Sequence, residues 1–62
     1  MNGVEWQGYI NKAVIIYFYD QERVVRRDGF LKGVSETHLF LITKEHTEAI
    51  SLERIVRLEF DR

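Results

Sequence analysis

The sequence predicts a mainly β domain: five short antiparallel strands, strongly bent and rolled into one small barrel. Three observations lead there. Residues 13–19, A-V-I-I-Y-F-Y, are β-branched and aromatic almost throughout, the side chains that best fit a pleated, half-buried surface. Gly29 and Gly33 interrupt the next apolar stretch, and glycine inside a strand marks a bend, a bulge or a close backbone approach. Apolar runs then recur at short intervals between polar turns, and none is long enough for the crossover helix that a parallel sheet requires.

Size and charge bound what such a domain can be. The chain has 62 residues, a formal net charge of −1 and no cysteine. A chain of this length buries only about 60% of the surface its unfolded form exposes, and no disulfide or thiolate zinc site can staple it. The apolar content, 45%, is high for so short a chain and points to a homo-oligomer. The near-neutral charge sets up no global field towards nucleic acid or a membrane. No basic start followed by an apolar run marks a signal peptide. The longest apolar run, residues 13–19, is far below the roughly 20 residues of a membrane span. These features fit a cytoplasmic protein with no membrane association and no cofactor.

Residues 1–11 admit two readings. Asn2 is placed to cap a short helix carrying Val4, Glu5, Trp6 and Gln7, with Gly8 ending it; the same residues also suit an extended arm. Either way Trp6, Tyr9 and Ile10 need a surface to cover, the open end of the barrel or a partner. Residues 12–19 form the clearest strand, apolar on both faces. Asp20-Gln21-Glu22-Arg23 supplies a turn without glycine, which favours a four-residue loop over a tight primed turn. Residues 23–34 follow as the second strand. With Tyr19 opposite Val24, Phe18 faces Val25, Tyr17 faces Arg26 and Ile16 faces Arg27. One face then collects Val14, Ile16, Phe18, Val25, Gly29 and Leu31, and Arg27 must reach the rim. The other collects Ile15, Tyr17, Tyr19, Val24, Arg26 and Phe30, aromatic rings beside an arginine.

After the polar turn Ser35-Glu36-Thr37, residues 38–44 form the third strand. Leu39 and Leu41 share one face; His38, Phe40 and Ile42 share the other. Glu45-His46-Thr47 makes a hairpin turn into a short fourth strand, residues 48–52. Ser51-Leu52-Glu53-Arg54 reads as a one-turn connection with Ser51 as its cap. In residues 55–60, Val56, Leu58 and Phe60 alternate with Arg57 and Glu59, the pattern of a half-buried last strand.

The run V-I-I-Y-F-Y-D-Q-E-R-V-V-R-R-D-G-F-L-K-G-V-S-E-T-H-L-F-L resembles the first motif of the Sm-like proteins: Sm, Lsm and the Hfq RNA chaperones. That motif is an alternating strand, a turn, glycine–hydrophobic–hydrophobic–polar–glycine, a polar loop and an apolar strand. Gly29, Leu31, Gly33, Leu39 and Leu41 fall on it, and E-A-I-S-L-E-R-I-V-R-L-E-F resembles the family's closing strands. The resemblance implies a five-stranded Sm-like (Src-homology-3-like) barrel. It also implies ring assembly through edge strands, for which residues 34–43 and 55–60 are the candidates, and binding of RNA. The stretch equivalent to the family's first RNA-contacting loop is Ser35-Glu36-Thr37-His38, where His38 is the residue able to stack on a base.

The residues themselves suggest two surfaces. Arg23, Arg26, Arg27 and Lys32, with Tyr17 and His38, form a basic–aromatic concentration of the kind that binds single-stranded nucleic acid: cations hold phosphates while rings take bases. The competing account is an arginine–tyrosine ladder on a solvated face. Second, Ile15, Tyr17, Tyr19, Phe30, Phe40 and Ile42 exceed what one barrel of this size can enclose. Trp6, Phe40 and Ile42 are therefore candidates for an interface with a second copy or a protein partner. His38 and His46 do not make a metal cluster. The carboxylates lack the enclosed pocket that general acid–base chemistry needs. The expected function is a non-enzymatic binding module, either a self-associating binder of single-stranded RNA or a small regulatory adaptor for a protein partner.

Overall fold

A computed structural model describes residues 6–60, and for Trp6 and Gln7 the backbone only. Five strands follow one another: β1 (Ala13–Asp20), β2 (Arg23–Val34), β3 (His38–Ile42), β4 (Thr47–Ser51) and β5 (Ile55–Phe60). They make a single antiparallel sheet in the order β4-β3-β2-β1-β5. The hairpin register read from sequence holds, with Tyr19 opposite Val24, Tyr17 opposite Arg26 and Ile16 opposite Arg27.

The bend lies in β2. Its first part, Arg23 to Phe30, pairs with β1; its last part, Phe30 to Val34, pairs with β3, with a bulge between Leu31 and Gly33. A bulge increases local twist and turns a strand. Past Ala13 the chain still accompanies β2: Asn11 N–H donates to Leu31 O at 2.7 Å and Leu31 N–H to Lys12 O at 3.1 Å. This bend curls the sheet around one core of Val14, Ile16, Phe18, Leu31, Leu39, Leu41, Ile50 and Ile55. All five strands contribute to it, and Tyr9 and Ile10 pack against it from the N-terminal side.

Several expectations are corrected. The sheet does not close into a barrel. β1 and β3 are each paired on both sides, but no ladder joins β4 to β5. The two edges are joined by the three-residue 3-10 turn Leu52–Arg54, and Ile50 and Ile55 meet in the shared core. Within the expected edge segment 34–43, the strand β3 (His38–Ile42) offers no free edge, because it lies between β2 and β4. The β1–β2 loop has two residues, Gln21 and Glu22, with Asp20 paired to Arg23. Gln21 takes a φ of 61°, so a glutamine accepts the left-handed backbone usually left to glycine. Ser51 makes no side-chain cap. The N-terminal helix is a single 3-10 turn, Trp6–Tyr9, and the Asn2 cap lies outside the described residues. In β5 the register shifts opposite Tyr17/Phe18. Ile55 is buried and Val56 exposed, the reverse of strict alternation, because the extra residue in a bulge exchanges the two faces.

The two remaining turns are built alike. Ser35 Oγ accepts from the N–H groups of Thr37 and His38 at 3.3 and 3.0 Å, and Ser35 N–H donates to His38 O at 2.8 Å. Thr43 Oγ1 accepts from the N–H groups of Glu45 and His46 at 3.3 and 3.2 Å, and Thr43 N–H donates to His46 O at 2.9 Å. In S-E-T-H and T-K-E-H alike, a hydroxyl three residues before a histidine satisfies turn amides that no strand reaches.

Candidate functional site

The register sets the outer face of β2, β1 and β5 as rows. Residues directly opposite in an antiparallel ladder project to the same side. Arg26, Tyr17 and Arg57 form one row; Asp28, Ile15 and Glu59 form the next. Val24 and Tyr19 lie beyond the first row, and Phe30 and Ala13 beyond the second.

Within this face each cation has an anion two residues along its own strand. Arg26 Nε and Nη2 donate to the two carboxylate oxygens of Asp28 at 2.8 and 3.1 Å. The Arg26 guanidinium, hydrogen-bonded and oppositely charged, holds the Asp28 carboxyl below the usual aspartate range against a smaller opposing effect of desolvation. Arg57 Nε lies 3.2 Å from Glu59 Oε2, and its guanidinium stacks over the Tyr17 ring at 4.2 Å. The Tyr17 hydroxyl donates to Glu59 Oε1 at 3.4 Å.

Of the residues singled out from sequence, Tyr17 and Arg26 are brought together as cross-strand neighbours. Arg27 projects to the opposite side. It reaches the rim of the core, packs over Phe18 at 5.6 Å and donates from Nε to Glu48 Oε1 at 3.0 Å. Arg23 shares the parity of Arg27 and is exposed at the hairpin end, while Lys32 is exposed at the bulge of β2. His38 opens β3 opposite Ser51, its Nδ1 2.8 Å from Thr37 Oγ1. Phe40 is half-buried and Ile42 exposed, and the Trp6 side chain lies outside what is described. Arg57 was not legible from sequence. Its place beside Tyr17 depends on a β1–β5 pairing between segments about 40 residues apart, and no local pattern encodes it.

A concavity follows the bend. Phe30, Ile42 and Ala13 line an open cleft of about 490 Å³, with Asp28, Thr43 and Lys44 at its rim. Among the described residues no group of three or more His, Cys, Asp or Glu side chains could hold a metal ion, and no helix is long and apolar enough to cross a membrane. No family model, curated protein or solved structure matches the chain. What the fold defines is a class: a small, open, strongly curled antiparallel β module with a charged aromatic outer face.

Proposed function

We infer that the chain is a non-enzymatic, cytoplasmic binding module of the Sm-like kind that self-associates edge to edge. The observation that carries the reading is the pair of unladdered edges at the two ends of one curled sheet, β4 and β5. Each edge offers backbone donors and acceptors that a neighbouring strand satisfies. Pairing β4 of one copy with β5 of the next is a heterologous contact, which closes into a ring when the rotation allows.

Single-stranded RNA is the ligand of this reading. Arg26 and Arg57 stand opposite Tyr17 on the two neighbouring strands, and exposed Arg23 and Lys32 add positive charge at the start and at the bulge of β2. Light scattering with and without a short uridine-rich RNA tests it. A mass of several chains that rises with RNA, with binding that weakens steeply in salt and on Arg26→Ala, supports the reading. A monomer or dimer indifferent to RNA overturns it.

One observation favours a second reading, a regulatory adaptor for a protein partner. Phe30 and Ile42, both exposed, line the cleft beside β2, and apolar side chains exposed together mark protein contacts. That reading predicts a contact at Phe30 and Ile42 in the complex and no affinity for nucleic acid.

A further inference from the structure

The outer face carries an order that neither edge pairing nor RNA binding requires. Read along the strands, its rows are apolar (Val24, Tyr19), cationic around an aromatic ring (Arg26, Tyr17, Arg57), anionic around an aliphatic side chain (Asp28, Ile15, Glu59) and apolar again (Phe30, Ala13). A ladder serving the sheet alone would set opposite charges directly across neighbouring strands, where they attract best. Here the charges stand on β2 and β5 with the uncharged Tyr17 and Ile15 of β1 between them. None of these four charges faces another directly across a ladder, and the opposite sign stands two residues along the same strand. At both ends of this four-row pattern the apolar side chains are open to solvent: Val24 and Tyr19 are each 50% exposed and Phe30 55%.

The geometry points to a second copy of this chain as the occupant of this face, docked across a two-fold axis. The axis runs across the strands, midway between the cationic and anionic rows, in the plane between the two sheets. Such an operation lays each row on a complementary one. Arg26 meets Asp28 of the other copy, Arg57 meets its Glu59, Tyr17 covers its Ile15, and Val24 and Tyr19 meet its Phe30 and Ala13. The contact is isologous, so every match occurs twice. Stacked sheets lie about 10 Å apart, a gap that two layers of side chains of this length fill. The ion pairs now formed along each strand become four-membered charge clusters between copies. A copy shifted by one row would set like charges against each other, and one shifted further would set charges against apolar side chains, so the pattern favours this register.

This contact uses outer-face side chains, not strand edges, and stands or falls separately from the edge reading; it covers Arg26, Tyr17 and Arg57, so a docked copy and single-stranded RNA exclude each other on this face. The test is a mixing experiment with Arg26→Glu and Asp28→Arg chains, followed by light scattering, with circular dichroism to show that each is folded. Within Arg26→Glu the facing charges are all negative at this position; within Asp28→Arg they are all positive. Each variant alone is expected at half the wild-type mass. A one-to-one mixture is expected to regain the full mass, because Glu at position 26 then faces Arg at position 28 and Asp28 faces Arg26. An intramolecular ladder cannot be repaired by mixing. If either chain fails to fold, Arg57→Glu with Glu59→Arg carries the same expectation on β5. Variants that keep the wild-type mass, folded variants whose mixture stays at half mass, or a monomeric wild type would each overturn the contact. Rings joined by edges alone would keep their mass in every variant, which sinks the face contact and leaves the edge reading intact.

Discussion

The carbonyl oxygen of Ile42 occupies the space that a Cβ on Gly29 would need, and Leu41 Cγ would lie only 3.0 Å from that atom. Gly29 still pairs with Val14 of β1, while the next residue, Phe30, already pairs with Ile42 of β3. The strand passes from one partner to the other at this point, and the backbone of β3 comes close because no side chain keeps it away. Nothing of the kind surrounds Gly33, where an added Cβ meets no atom within 4 Å.

Gly29→Ala is therefore expected to destabilise the fold by about 2–3 kcal/mol, the scale of overpacking against atoms that cannot yield. Gly33→Ala is expected to stay within about 0.5 kcal/mol of wild type, since it adds no clash and restricts the unfolded chain. Urea denaturation of both chains separates the two glycines. Equal losses would mean that the bend does not depend on the Gly29 contact.

Gln21 holds a φ of 61° in a two-residue loop. For a residue with a Cβ that backbone costs about 1–2 kcal/mol, and glycine escapes this at about 0.5–1 kcal/mol of extra chain entropy. Gln21→Gly is expected to stabilise by up to about 1 kcal/mol, read as a rise in the thermal midpoint. A clear fall in that midpoint would contradict the turn geometry.

The hydroxyls of Ser35 and Thr43 each hold two turn amides. Removing either, by Ser35→Ala or Thr43→Ala, is expected to cost about 1 kcal/mol, and Thr43→Ser to cost less because the acceptor stays. Amide exchange gives a local readout: the N–H groups of Glu45 and His46 should lose protection in Thr43→Ala, and those of Thr37 and His38 in Ser35→Ala. Unchanged exchange at those amides would remove the hydroxyls from the account of the turns.

What was legible in the sequence was local. The β1–β2 register follows from a β-branched run and a neighbouring strand joined by a short turn, and Arg27 at the rim follows from its parity with Ile16 and Phe18. Non-local features were not legible. Strict alternation in β5 puts Val56 inside, yet the bulge opposite Tyr17/Phe18 exposes it and buries Ile55; where an extra residue is absorbed depends on the partner strand. The barrel expectation fails at β4 and β5 because closure is a relation between two edges, which neither segment shows alone. The basic residues are divided between the two faces, as the hairpin register read from sequence already implies. Arg26 and Arg27 are adjacent, and adjacent residues in a strand face opposite sides.

Arg27 and Glu48 form a part-buried pair at 3.0 Å, with side-chain exposures of 40% and 21%, and the Arg27 stem lies over Phe18. Arg27→Ala removes both packing and pair, and is expected to cost about 1–2 kcal/mol. Glu48→Gln keeps an acceptor and is expected to cost about 0.5 kcal/mol, a difference that shrinks in high salt. If Arg27→Ala cost no more than Glu48→Gln in chemical denaturation, the packing over Phe18 would contribute nothing.

The Asp28 carboxyl gives the acid side of the stability curve a defined sign. Its pKa in the folded chain is depressed, first by the hydrogen bonds from Arg26 and then by that side chain's charge. A depressed folded value means that the contribution is fully present above the ordinary aspartate pKa, about 3.9. It is then lost as pH falls through the lower, folded value. Carboxyl chemical shifts followed by NMR should therefore put the Asp28 midpoint below that of an unpaired aspartate, and Arg26→Ala should move it back upward. Asp28→Asn should flatten the acid limb of stability against pH without altering its neutral plateau by more than an exposed pair contributes. An Asp28 midpoint that does not move in Arg26→Ala would show that the two side chains are not coupled in solution, and the cationic and anionic rows of the outer face would then have to be treated as independent.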